Sequence, residues 1–249
     1  GEENLMRDDL RVAGLLPTTS PYGDGLTVLS TVFNDGGTSG TGLTEDNIVD
    51  WIWVELRDAT DNTLVSYSRS ALLQRDGDVV DVDGTSVLDF TTTDNTYYLV
   101  INHRSHLGIM TANTITFTSG TTVINFLNAG NGFLYGTNAR TSIGMPTGIY
   151  GMWAGDATGD GNLNYLGGLS DMPPIRSQVF NDPANSVFGG PPVATYQSQG
   201  YYATDINMDG VTVFSGIGTD VLYIRDNIFN NPSNSVFGGP PVGTYVFEE

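Results

Sequence analysis

The chain has 249 residues, with 28 acidic and nine basic side chains, a net charge of −19 and no cysteine. All nine bases are arginine. This balance excludes a basic nucleic-acid surface, disulfide staples and thiolate chemistry. Hydrophobic residues make up 39%, enough for a core. Charged residues make up only 15%, so Gly, Thr, Ser and Asn carry much of the polarity, the profile of strands and turns.

No apolar run approaches the ~20 residues of a membrane-spanning helix, so no membrane insertion is expected. The chain opens on Gly1 with no basic start and no apolar leader. It reads as a processed, extracellular or cell-surface protein. Asn231-Pro232-Ser233 is blocked as a glycosylation acceptor by its proline.

Residues 1–150 predict a mainly β fold, an antiparallel β-sandwich. Residues 50–58 alternate, with Ile52, Val54 and Leu56 on one face and Trp51, Trp53, Glu55 and Arg57 on the other. Further strands are predicted at 63–74, 79–82, 96–103, 114–118 and 121–127, all rich in Val, Ile, Thr and Tyr. Asp76-Gly77, Asp83-Gly84 and Ser119-Gly120 punctuate them, and the Gly-rich stretch 35–42 is a surface loop.

Residues 151–249 form a second domain, because a repeat begins there. Asn185-Ser-Val-Phe-Gly-Gly-Pro-Pro-Val193 recurs unchanged from Asn234 to Val242, an offset of 49 residues. The same offset relates Asp156 to Asp205, Asp160 to Asp209, Asp171 to Asp220, Phe180 to Phe229 and Tyr196 to Tyr245. The units run from about 155–203 and 204–249.

Each unit opens on a calcium-loop signature: Asp156-Ala-Thr158-Gly-Asp160-Gly161-Asn162 and Asp205-Ile-Asn207-Met-Asp209-Gly210-Val211. Oxygens at positions 1, 3 and 5 converge on one ion, and position 7 offers its backbone carbonyl, here from Asn162 and Val211. An all-oxygen set favours calcium over a transition metal. Position 12 is Gly167 or Gly216, and an Asp follows at position 16 in both units, Asp171 and Asp220. The expectation is two calcium ions, each held in an enlarged loop that this late Asp closes. Short helices are predicted at 172–181 and 221–230, with Pro173 and Pro174 in a first turn, Pro183 and Pro232 as stops, and Asp171 and Asp220 as N-caps. Ile175, Val179 and Phe180 are expected to face Ile224, Ile228 and Phe229.

The region 155–249 resembles the type I dockerin family, in which two calcium-loop-plus-helix units pack together. The resemblance puts Asp156, Thr158, Asp160, Asp205, Asn207 and Asp209 on the family's ligand positions. It departs from the family at position 12 and in the Gly-Gly-Pro-Pro tails. The whole chain is similar to secreted bacterial haemagglutinin- or adhesin-like surface proteins, in which a β domain precedes a dockerin-like pair. The matching stretches are Leu5-Met-Arg-Asp-Asp-Leu10, Gly14-Leu-Leu-Pro17, Asp50-Trp-Ile-Trp-Val-Glu-Leu-Arg-Asp58, Val80-Asp-Val-Asp-Gly84, His103-Arg-Ser-His-Leu107 and Tyr150-Gly-Met-Trp-Ala-Gly-Asp156.

Other features carry less chemistry. His103 and His106 read as polar residues at a strand edge rather than zinc ligands. Asp76, Asp78, Asp81 and Asp83 read as the acidic face of a hairpin, with a third calcium site as the sharper alternative. Trp51, Trp53, Tyr97 and Tyr98 either pack in the core or form a sugar-stacking platform. No G-x-S-x-G, H-E-x-x-H or phosphate-loop motif occurs, so the chain is not expected to be an enzyme.

The functional expectation is a calcium-stabilised structural subunit of an extracellular filament or surface layer, self-associating into a homopolymer. In the surface proteins that the chain resembles, an apolar strand precedes the segment matching Leu5–Leu10, and here it is absent. Residues 245–249 of one subunit would fill that unpaired sheet edge in the next, a head-to-tail strand donation. The alternative is an adhesin or glycan-binding module on a calcium-stabilised stalk.

Overall fold

The computed structural model describes residues 4–37, 42–92, 95–118, 120–126, 131–186, 189–234, 240–243 and 246–248. Parts of the predicted features lie outside them: residues 1–3, the middle of the 35–42 loop, Ser119, Leu127, Val187 and Phe188 in the first copy of the repeated segment, 235–239 in the second, Thr244, Tyr245 and Glu249.

The chain is mainly β, with antiparallel pairing and few helices. It divides into two compact units, Gly1–His103 with Gly108–Gly151, and Arg104–Leu107 with Met152–Glu249.

The first unit is built on strands β1 (Ile48–Asp58), β2 (Val65–Gln74), β3 (Val79–Val80), β4 (Thr96–His103), residues 108–110 of β5 (His106–Met110) and β6 (Ile115–Thr116), with a short helix α1 (Asp9–Val12) ahead of them. The sheet runs β3-β2-β1-β4-β5, and β6 pairs with β4. β1 is central because its residues are apolar on both parities. Trp51 and Ile52, which a strand points to opposite faces, are 0% and 1% exposed. The Trp51 indole N–H donates to the Pro17 carbonyl at 2.8 Å, which ties the N-terminal segment to the strand. Asp24 accepts the Ser70 N–H at 2.8 Å, and the buried hydroxyls of Ser20 and Ser70 meet at 2.5 Å.

Three expectations change here. Residues 121–126 form no strand, although their Thr, Val and Ile favour one. β-propensity only reports fit to a paired surface, and no ladder forms there among the described residues. His103 is not an edge residue: it is buried, and its Nε2 lies 3.0 Å from the carboxylate of fully buried Asp50. Trp51 and Tyr97 are buried, so they offer no sugar-stacking surface. The acidic hairpin spends its charges locally. Asp81 pairs with Arg69, and Asp83 accepts the N–H groups of Thr85 and Ser86.

The second unit holds β7 (Asn162–Asn164), α2 (Met172–Asn181), β8 (Gln197–Gln199), β9 (Val211–Val213), α3 (Asp220–Asn230) and β10 (Val246–Glu248). Its core joins Leu107, Trp153, Leu163, Ile175, Ile206, Ile224 and Ile228. β8 pairs antiparallel with β9, Gln197 opposite Val213, and β10 pairs with β7, Val246 opposite Asn164. Both positions in the second pair are displaced by 49 residues from those in the first. The strand after each helix therefore pairs with the loop strand of the other repeat.

The aromatic side chains follow the same exchange. Phe180 meets Phe214 edge-on at 6.2 Å, and its counterpart Phe229 meets Tyr165 at 6.3 Å. The expected face-to-face pairing of Phe180 and Phe229 gives way to this crossed arrangement. Ile175, Ile224 and Ile228 do share one core. Among the described residues no helix is long and apolar enough to cross a membrane.

Candidate metal centre

The two acidic loops have the same internal wiring. In the first, Asp156 accepts the Gly161 N–H at 3.0 Å and the Asp160 N–H at 3.2 Å. In the second, Asp205 accepts the Gly210 N–H at 2.8 Å and the Asp209 N–H at 3.2 Å. Asp171 then reaches back across the first loop to the N–H groups of Ala157, at 3.0 Å, and Asn164, at 2.8 Å. Asp220 does the same to Ile206 and Val213, both at 2.7 Å. Each late Asp therefore spans its loop, touching the start of the loop and the loop strand with its two oxygens.

Position 12 explains why the closing Asp comes late. Gly167 and Gly216 have φ of +128° and +116°, a region that L side chains rarely adopt. No side-chain ligand fits at that point, and the acid is displaced four residues onward.

The sequence assigned the helix caps to Asp171 and Asp220, and the structure moves that role one residue back. Asp171 makes no side-chain cap bond. Ser170 Oγ accepts the Met172 N–H at 3.2 Å and donates to the Tyr165 carbonyl at 2.7 Å. Thr219 accepts the Val221 N–H at 3.2 Å and donates to the Phe214 carbonyl at 3.0 Å. A hydroxyl at 170 and 219, also 49 apart, was the available signal. It frees both Asp carboxylates for the loops.

A second pair escaped sequence reading. Asn185, almost fully buried, donates to the Val179 and Val193 carbonyls at 2.7 and 3.0 Å and accepts the Val193 N–H at 2.9 Å. Asn234 repeats all three bonds with Ile228 and Val242, at 2.7, 3.0 and 3.1 Å. These amides close the base of each Gly-Gly-Pro-Pro tail.

The charge in the loops is graded by depth. Asp171, Asp205 and Asp220 are 0% exposed and Asp156 is 5% exposed. Thr158 and Asp160 lie exposed at the rim, and Asn162, Asn207, Asp209 and Val211 are half-buried. Burial pushes Asp171 and Asp205 up to about 6 and Asp220 up to about 7, and raises Asp156 as well. Asp205 and Asp209 push Asp220 further upward, while backbone N–H groups partly offset the burial.

No family model, curated protein or solved structure matches this chain.

The rim groups are turned onto local partners. Asp160 accepts the Asn162 N–H at 2.9 Å, and Asp209 accepts the Val211 N–H at 2.9 Å and the Asn207 amide at 2.9 Å. Thr158 donates to Asp156 at 3.2 Å and to Asp171 at 3.1 Å. Among the described residues, no three acidic or histidine side chains are gathered tightly enough to enclose an ion. The arrangement is therefore a buried acidic floor under a rim of hydrogen-bonded side chains, with oxygen donors in both layers.

Proposed function

We propose that this chain is a calcium-stabilised structural subunit of an extracellular filament or surface layer, with a dockerin-like duplicated module at residues 151–249. The observation that carries the reading is the matched burial of Asp156 and Asp171 in one loop and Asp205 and Asp220 in the other. Buried carboxylates are costly unless something neutralises them. One hard cation per loop removes that cost and suits an all-oxygen donor set. Asp160 and Asp209 complete the shell by a change of side-chain rotamer, joined by Thr158 or Asn207 and by the carbonyls of Asn162 or Val211. The acids serve the packing of the module itself, since Asp171 and Asp220 bond the same loops whose strands the other repeat covers. That supports a structural rather than a catalytic role for the ions.

In this reading the first unit is a sandwich-type domain. The support is β1, whose two faces are both covered. Self-association proceeds by strand donation from the C-terminal segment. Val246–Glu248 pairs with Asn162–Asn164 within its own chain, so donation exchanges that short ladder for one between chains.

Electron microscopy of the full chain, with calcium and with chelator, tests the assembly. Regular fibres or sheets that need calcium and vanish on deleting residues 242–249 support it. Monodisperse particles under all conditions refute it.

A further inference from the structure

A cleft of about 640 Å³ opens beside α2 within the second unit. Its walls carry two tyrosines, Tyr196 and Tyr202, three amides, Gln178, Asn181 and Gln199, and one acid, Asp182. No basic side chain lines it among the described residues. We propose that this cleft binds a neutral oligosaccharide.

The volume falls within the range of small-molecule sites. Tyrosine gives an apolar ring face to the C–H side of a sugar and a hydroxyl to its rim. An amide offers a donor and an acceptor side by side, which matches a pair of adjacent hydroxyls. The lack of a cation, in a chain of net charge −19, disfavours phosphates, nucleotides and acidic glycans.

The walls are held in place before any ligand arrives. The Gln178 amide donates to buried Ser198 Oγ at 3.1 Å, and that hydroxyl donates to Asp182 at 2.6 Å. Asp182 also accepts the Ala184 N–H at 2.8 Å. This chain fixes Gln178 and leaves its carbonyl oxygen available. The Tyr202 ring lies against Gly200, where an added Cβ would come within 2.5 Å of it. Arg104 bonds the Tyr202 carbonyl and stacks on the Tyr201 ring at 4.2 Å from its centre. The hydroxyls of Tyr196 and Tyr202 and the Gln199 amide make no hydrogen bond among the described residues, so they are available to a ligand.

The fold of the repeat does not demand this set. In the second repeat the positions of Gln178, Asp182 and Ser198 hold Asn227, Asn231 and Phe247. Asn227 donates instead to the Ala154 carbonyl at 2.7 Å. Tyr196 recurs as Tyr245, but the Gln178–Ser198–Asp182 chain belongs to the first repeat alone.

Affinity electrophoresis of the full chain, in calcium buffer, tests the site. The gels contain xylan, mixed-linkage β-glucan, galactomannan or dextran, with polygalacturonate as the acidic comparison. Retardation by at least one neutral polymer is expected, weakened about tenfold by Tyr202→Ala and by Gln178→Ala. Gln199→Ala, at an exposed position, should weaken it as well and guards against loss of fold, which circular dichroism checks. Retardation by no neutral polymer, by polygalacturonate alone, or equally in wild type and all three variants would overturn the proposal.

Discussion

Tyr165 and Phe229 meet edge-on with ring centres 6.3 Å apart, although one belongs to the loop of the first repeat and the other to the helix of the second. Phe180 and Phe214 form the reciprocal pair. With the crossed ladders β8–β9 and β10–β7, they make the two repeats a mutually dependent pair rather than two beads. Neither short helix has enough apolar surface to stand alone.

A double-mutant cycle on Tyr165→Leu and Phe229→Leu should therefore give a coupling of about 1 kcal/mol in urea unfolding. The same cycle on Tyr165 and Phe180, which share a repeat but not a contact, should give close to zero. Equal couplings would contradict the crossed packing.

The cap assignment yields a second expectation. Thr219→Ala should cost about 1 kcal/mol, and Thr219→Ser should recover most of it, since only the hydroxyl is used. Ser170→Ala should behave alike. No loss in Thr219→Ala would take the capping role away from the Thr219 hydroxyl.

Asn234→Ala removes one amide that serves the buried Ile228 carbonyl and the partly buried Val242 carbonyl and N–H. The groups left unpaired should cost about 2–3 kcal/mol, measured by chemical unfolding. A loss under about 0.5 kcal/mol, the size of an ordinary surface change, would show that the tail does not depend on this staple.

Much of the second unit was legible because its duplication doubled each signal. Pro173, Pro183 and Pro232 bracket the helices, and the predicted 172–181 matches Met172–Asn181. The acid spacing marked both loops. What stayed hidden depends on long-range contact. Asp50 and His103 are 53 residues apart, and nothing local marks them as partners. β5, His106–Met110, carries Gly108 and lacks alternation, so its pattern gave no strand signal. Residues 121–126 carried the signal without a partner strand. The exchange of β8 and β10 between repeats follows from pairing rather than from any period in the chain.

The burial of the loop acids gives a pH dependence with a definite sign. Folding raises Asp171 and Asp205 to about 6 and Asp220 to about 7, from 3.8. A carboxyl raised by folding binds protons in the folded state first, so its penalty is full above the folded value and disappears toward the unfolded one. In chelator, α3 should gain protection from hydrogen exchange as pH falls from about 7 to about 4, after correction for intrinsic rates. In the first unit Asp8 and Asp24 are lowered, Asp8 by Arg11 and Asn47 and Asp24 by Ser70 and Leu26, against burial. β1 and β2 should lose protection as pH falls below about 4. With calcium bound, acidification should instead weaken α3, because protons compete with the ion. A loss of α3 protection on acidification in chelator would contradict the burial assigned to these acids.

Calcium titration of the chelator-stripped full chain, read by isothermal calorimetry and by thermal melting, tests the central claim most directly. Two ions should bind per chain and raise the melting temperature of the second unit. Asp220→Asn should abolish one of them, and Thr158→Ala should only weaken the other, since a hydroxyl is the poorer ligand. No heat of binding, with the same melting temperature in calcium and in chelator, would contradict the account.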